Sequence, residues 1–367
     1  MGMPGGQPAG CASWRRAQGL PCDSRMRLGW RRLEASGSLP SQTFAFHAAL
    51  AETMMADRVL DVVAVLEKDE PVAILPLCRR RGWFRRWHGA GARQVYEPVD
   101  ALCRDAGAVA RLAGKLARLS RPLRLDRVPA HSPLIPALAA AMKGRGLIVT
   151  RPAQASPTIA FEEGETDPAQ RFNAGRRSDF RRARRRAEAL GEVSFEMHVP
   201  SPETFDGLFE QAVAVEQRSW KGEVGTALGT DAVKAAFFHD FLLGACEDGN
   251  CRIAFMRIDG KAVAMHLAVE FQQRYWLFKI GFDQAFSRCS PGNLLMLHAL
   301  ADVMARGLRG VELLGEVEPW IAEVWTREAT PCLRVQTYPF NVRGLASLAA
   351  EVTIWAWHRL PLRRGAK

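Results

Sequence analysis

The 367-residue chain has no run of eighteen consecutive apolar residues, so no segment meets the minimum for a membrane-crossing helix. Behind its N-terminal arginines (Arg15, Arg16, Arg25, Arg27, Arg31 and Arg32) there is no continuous apolar stretch, which argues against a secretory signal and for a cytoplasmic protein. There is no C-x-x-C pair. None of the eight cysteines (Cys11, Cys22, Cys78, Cys103, Cys246, Cys251, Cys289, Cys332) stands at metal-ligand spacing from a histidine. Most lie in apolar segments and read as small buried hydrophobes in a reducing compartment, so neither disulfides nor a metal is expected. Acid is also in short supply: 39 Asp and Glu face 50 Lys and Arg, a formal net charge of +11. Free use of arginine by a GC-rich gene accounts for such a total. Its clustering points instead to an anionic partner: a phosphorylated cofactor, RNA, an acidic lipid face or an anionic sugar.

What is present begins with length, which is ample for two domains and a large core. Residues 1–40, rich in Gly, Pro, Ser and Arg, read as a disordered extension, with Met26 as an alternative start. Phe44, His47, Leu50 and Met54 recur at helical spacing. Two apolar runs, 59–66 and 72–77, flank Lys68-Asp69-Glu70-Pro71 and read as a β-hairpin. The basic, aromatic connection after them (Arg79, Arg80, Arg81, Trp83, Arg85, Arg86, Trp87) reads as a solvated loop anchored by its two tryptophans; contact with nucleic acid or membrane is the alternative. Helices over 109–119 and 134–142 and short strands at 123–125 and 147–150 complete a mixed first domain, 41–160. A shift to small, acidic and Pro-containing residues over 152–168 marks its end.

The second domain, 161–342, has sharper punctuation. Residues 174–190 form a helix stopped by Gly191, with Phe180, Ala183, Ala187 and Leu190 as its apolar stripe. A strand at 193–199 follows, then a helix opened by Ser201-Pro202-Glu203 and another over 231–245. Strands at 251–258, 262–271 and 275–280 form an antiparallel meander, turning at Asp259-Gly260 and Gln272-Gln273. Ser290-Pro291-Gly292-Asn293 opens a helix reaching about residue 306, followed by a strand at 311–314, a short helix from Pro319 and a last strand at 333–338. The basic tail, 343–367, reads as a helix docked on the body; an interfacial amphipathic helix, and so a peripheral membrane contact, is the alternative.

A helix start offers unpaired N–H groups and a positive dipole end, where phosphates bind. Pro291 presets that turn, Gly292 lets a ligand approach the backbone, and Arg288 adds charge. A meander, such a helix and then a strand make up the order of the GNAT acyl-CoA core. Ser219-Trp220-Lys221-Gly222 resembles the S-W-K-G motif of CelD-type acetyltransferases, proteins associated with cellulose and exopolysaccharide biosynthesis. Lys279-Ile280-Gly281-Phe282-Asp283 resembles their K-x-G-Y-D, Ser290-Pro291-Gly292 their S-P-G, and Leu314-Gly315, Glu318-Pro319-Trp320 and Trp325-Thr326 their L-G-x-x-E-P-W-K-x-x-W-T. The family is similar in turn to the Fem aminoacyl transferases.

The resemblance implies an α/β fold of tandem GNAT-like domains, with mixed, largely antiparallel sheets flanked by helices and a degenerate first copy. It implies acetyl-CoA or another acyl-CoA as co-substrate, bound near Lys279, Arg288, Ser290, Gly292, Asn293 and Leu294. An amino-sugar, exopolysaccharide precursor or small amine would be the acceptor, near Trp220, Lys221, Trp320 and His266. Deprotonating the acceptor takes a carboxylate or a histidine, and the candidates are Glu316, Glu318, Asp283 and Glu216. For each there is a structural alternative: a helix cap for Glu318, a turn residue for Asp283, a core histidine for His266. Ile321 stands where the family has Lys, and the R/Q-x-x-G-x-G/A phosphate loop of the superfamily is absent. Two other functions therefore stay open: a Fem-type transfer from aminoacyl-tRNA, which suits the arginines 176, 177, 181 and 184, and a non-catalytic accessory role in exopolysaccharide synthesis.

Overall fold

The computed structural model describes residues 13–20, 23–162, 164–219 and 228–359. In chain order its main elements are β1 (Ser13–Gln18), α1 (Ser24–Leu33), α2 (Phe44–Met54), β2 (Arg58–Glu67), β3 (Glu70–Arg80), β4 (Trp87–Gly89), β5 (Leu102–Cys103), α3 (Ala106–Leu116), β6 (Leu123–Pro129), α4 (Leu134–Met142) and β7 (Gly146–Ala160). There follow α5 (Ala174–Glu188), β8 (Val193–His198), α6 (Pro202–Gln217), α7 (Ala232–Glu247), β9 (Cys251–Ile258), β10 (Lys261–Phe271), β11 (Arg274–Phe282), α8 (Pro291–Ala305), β12 (Gly310–Glu312), α9 (Pro319–Val324), β13 (Ala329–Pro339) and α10 (Val342–Arg359). The fold is mixed α/β, with largely antiparallel sheets flanked by helices.

The chain forms two compact units, and neither is one continuous segment. The first takes residues 1–37, 57–154 and 331–367; the second takes 38–56 and 155–330. A linear division at residue 160 therefore misplaces α2, which packs on α7 in the second unit, and most of β13, which pairs with β6 in the first. Nor is 152–168 simply a linker. β7 runs through it to Ala160, and its last residues, 158–160, pair with β12.

In the first unit the sheet order is β1-β2-β3-β4-β6-β13, with β5 also on β3. All neighbours are antiparallel except β4 and β6. Helices α3 and α4 cover it through Leu112, Leu116, Leu134 and Leu138, which pack on Val63, Leu75 and Leu125. The expectation of disorder over 1–40 is corrected here: β1 and α1 lie within that stretch. Asp23 caps α1 by accepting from the Arg25 N–H, and Met26, Trp30 and Leu33 are buried at helical spacing beneath the arginines. Composition hid a periodic apolar stripe. The loop tryptophans also part company: Trp87 is buried under the Arg79 guanidinium, whereas Trp83 is exposed.

In the second unit the order is β7-β12-β11-β10-β9-β8. The β11–β12 pair is parallel and the rest are antiparallel. Side chains alternate across the sheet. On one face Ala254, Met256 and Ala264 pack with Ala183 and Ala187 of α5 and Leu294 and Leu295 of α8. On the other, α6 lies against β10 and β11, and α7 carries Phe237 and Phe241, which meet Phe46 of α2 edge-on. Each hairpin turn has two successive residues at positive φ: Lys68-Asp69, Asp259-Gly260 and Gln272-Gln273. That is the twist-matched two-residue turn, built in two of the three cases without glycine.

Candidate functional site

β11 and β12 build the site between them. They pair in parallel at only two positions, Tyr275 with Val311 and Trp276 with Glu312. β12 then ends, while β11 continues to Phe282, held on its other side by β10. Leu314 and Gly315 follow β12 at φ +55° each, a pair of left-handed residues that turns the chain out of the sheet. The two parallel strands thus part, and a strand edge faces the opening. At the parting point the buried Glu312 carboxylate pairs with Arg274 at 2.6 Å and accepts from the Thr158 hydroxyl at 3.0 Å. Burial raises its pKa, against the pull of Arg274.

The start of α8 stands at the far end of β11. Asp283 ends the strand: its Oδ1 accepts from the Ala285 N–H, and its Oδ2 takes Arg218 at 2.8 Å and Lys261 at 3.1 Å. Burial pushes its pKa up, but the hydrogen bonds from Lys261, Ala285 and Arg218 outweigh this and hold it below the usual carboxylate range. Asp283 is thus an ionised brace for the chain leading into α8. Ser290 caps α8 from a left-handed conformation, φ 47°, and its carbonyl accepts from the Asn293 and Leu294 amides. Pro291 has no N–H, so the Gly292 amide is the one left at the tip. A Cβ on Gly292 would meet only Phe282, at 3.4 Å, which leaves open space above the helix start. Arg288 is exposed beside it, and its carbonyl accepts from Arg186 of α5. Arg288, Ser290, Gly292 and Asn293 are therefore brought together. Leu294 is a core residue, and Lys279 lies over the Phe238 ring of α7 at 4.7 Å.

The remaining candidates separate. Glu316 and Glu318 are exposed on the segment after β12, and Glu318 accepts from the Trp320 indole N–H at 2.6 Å. Glu318 is the N-cap residue of α9, without a side-chain cap bond. Glu216 is fully buried at the end of α6 and accepts from the Leu228 N–H at 2.9 Å. Gly281 of β11 lies directly against it: a Cβ there would stand 3.0 Å from the Glu216 Cα. His266 is buried in the middle of β10, opposite Ala254 and Ile280, and its Nδ1 has no hydrogen-bond partner. Trp220 and Lys221 fall outside the described residues. Ile321 is buried, as is Trp325, which stacks on Phe180; an apolar side chain suits that position.

Sequence reasoning missed Glu312, Arg218 and Arg186. Glu312 had a signal: a lone acid between Val311 and Leu313 in a buried strand needs a partner. Among the described residues no cluster of His, Cys, Asp and Glu is arranged to hold a metal ion.

The stretch from α5 to the start of α9, residues 174–320, matches the acetyltransferase (GNAT) domain family. This segment is a GNAT acyltransferase domain. Among solved structures the chain is similar to FemX, at 11% identity and a TM-score of 0.56, covering 88% of this chain and 98% of that one. It is similar to the C-terminal domain assigned to a lysylphosphatidylglycerol synthetase from Agrobacterium fabrum, at 12% identity and a TM-score of 0.54, covering 89% and 95%. A conserved protein of unknown function from Bacteroides thetaiotaomicron is similar at 8% identity and a TM-score of 0.53, covering 85% and 97%. At these identities the likeness is one of fold. No curated protein matches the sequence.

Proposed function

We propose that the GNAT domain transfers an acyl group, acetyl in the simplest case, from acyl-CoA to the amine or hydroxyl of a small acceptor such as an amino-sugar precursor. The observation that carries this reading is the parting of β11 from β12, with the start of α8 at the far end of the strand edge that this leaves open. An extended pantetheine arm adds to a strand edge as a peptide would. The CoA phosphates reach the Gly292 amide, the helix dipole and Arg288. In the reaction the acceptor's nitrogen or oxygen attacks the thioester carbon, the C–S bond breaks, and CoA leaves as thiolate. The acceptor's proton passes to a base and on to that thiolate. Of the four carboxylates, Glu316 and Glu318 suit this role best, because they are exposed next to the opening. Glu216 and Asp283 are committed to the Leu228 amide and to two cations. The first unit is a degenerate copy of the same fold, and the CelD-type motifs point to exopolysaccharide chemistry.

Thermal melting with and without acetyl-CoA, for the wild type and Gly292→Trp, tests this. At a hundredfold excess over Kd, ligand contributes about 2.7 kcal/mol to stability, an easily read shift. Acetyl-CoA should raise the wild-type melting temperature and leave that of Gly292→Trp unchanged. If acetyl-CoA and longer acyl-CoAs leave a folded wild type unmoved, the reading fails. A shift with aminoacyl-tRNA in that case would favour Fem-type transfer, consistent with the exposed Arg181 and Arg185 of α5. Silence with both leaves the accessory role.

A further inference from the structure

The first unit carries an exposed apolar surface that acyl transfer does not use. The loop between β3 and β4 holds Trp83 and Phe84 at its tip, 65% and 63% exposed. The loop is fixed in this form. Arg121 Nη1 donates to the carbonyls of Gly82, Trp83 and Arg85 at 3.1, 2.5 and 3.1 Å. α10 runs beside it: the Arg343 guanidinium lies 3.9 Å over the Trp83 ring, and Arg86 reaches Ser347 and Glu351. Glu351 also accepts from Gln336 and Tyr338, at 2.8 and 2.5 Å, so the first turns of α10 are docked. Val352, Thr353, Ile354, Trp355 and Ala356 are all exposed, more than one full turn in succession. Val342 and Leu345 are exposed as well. Exposed apolar side chains along α10, whose first turn meets the exposed Trp83 through Arg343, make a surface that water disfavours and monomers rarely leave open.

Charge indicates what covers it. Residues 79–87 hold five arginines and no acid. The described side chains of α10 hold one cation, Arg343, over Trp83, and one acid, Glu351, which is paired with Arg86, so the face as a whole is basic. We propose that this face docks the protein on an anionic lipid bilayer. Tryptophan sits well at the boundary between headgroups and acyl chains, and each cation beside it gains from the negative surface potential. The mode is insertion into one leaflet rather than crossing, since no helix among the described residues is long and apolar enough to span a membrane. Nucleic acid fits less well. It would engage the aromatic rings and arginines but give Val342, Leu345, Val352 and Ile354 nothing to contact. A second copy of the chain would bring two strongly basic segments together.

Co-sedimentation of the full chain with phosphatidylcholine vesicles, with and without phosphatidylglycerol, tests the proposal. Three double variants accompany the wild type: Trp83→Ser with Phe84→Ser, Ile354→Ser with Trp355→Ser, and Arg81→Glu with Arg85→Glu. The wild type should bind the phosphatidylglycerol vesicles, bind pure phosphatidylcholine far more weakly, and release in high salt. Each variant should bind at least about tenfold more weakly, with an unchanged melting temperature. The apolar pairs stand on separate elements, so if one variant misfolds the other still decides. The proposal is overturned if the folded wild type ignores anionic vesicles or if all folded variants bind as it does. It is equally overturned if tRNA displaces the vesicles, or if the wild type self-associates through this face and Ile354→Ser with Trp355→Ser breaks that association.

Discussion

His266 shows what complete enclosure does to one polar side chain. Burial alone lowers its pKa from 6.5 to about 3, and its Nδ1 has no partner, so the ring is neutral at neutral pH. The unfolded chain takes up a proton near pH 6.5 and the folded one does not. Stability from this group is therefore whole above pH 6.5 and is lost as the pH falls from there toward 3. His47 and His88, also lowered to about 3 by burial, add to the same slope. The melting temperature should fall with acidification below pH 6.5. His266→Leu should flatten that fall by up to about 1.4 kcal/mol per pH unit, and it also removes an unsatisfied nitrogen. A His266 ring resonance that titrates near neutrality would rule this out. The group is therefore a poor candidate base: geometry, not residue type, decides whether an imidazole can exchange a proton.

Between elements, the closest approach that matters is Gly281 against α6. A Cβ at that position meets the Glu216 Cα at 3.0 Å and its Cβ at 3.2 Å, and a helix backbone cannot swing aside as a side chain tip can. Gly281→Ala should cost about 1–3 kcal/mol in chemical denaturation. A loss below about 0.5 kcal/mol would mean that α6 shifts freely. The elements themselves were largely legible. The meander, its two turns, the helix after Ser290 and the hairpin at Lys68-Asp69 lie where alternation, helical periodicity and turn residues put them. Legibility failed where composition masked periodicity, as in α1, whose four arginines hide Met26, Trp30 and Leu33. It failed again where a strand outlasted its apolar run. β7 continues to Ala160 through prolines and polar residues because β12 is there to pair with it.

For the whole molecule, the site was only partly readable. The helix start at Ser290 could be found because its signal is local. The parting of β11 from β12 could not, because it depends on where two distant strands stop pairing. Glu216 and Asp283 looked like free acids until Leu228, Arg218 and Lys261 came to them from elsewhere in the chain. The division into units was hidden for the same reason. Residues 155–330 expressed alone lack Phe46, which meets Phe237 and Phe241 at centroid distances of 5.2 and 5.3 Å. That fragment should show no cooperative melt, and residues 38–56 supplied in trans should restore one. A cooperative melt of the fragment alone would show that α2 is dispensable.

The same placement of α2 has a consequence for how the protein is made. α7, on which α2 packs, is synthesised roughly 190 residues after it, a delay of about 10–40 s at ordinary elongation rates. Through that interval Phe46 and Leu50, both fully buried in the finished fold, have nowhere to go. The nascent chain therefore carries a sticky helix through that whole interval, an aggregation hazard until α7 arrives to cover it.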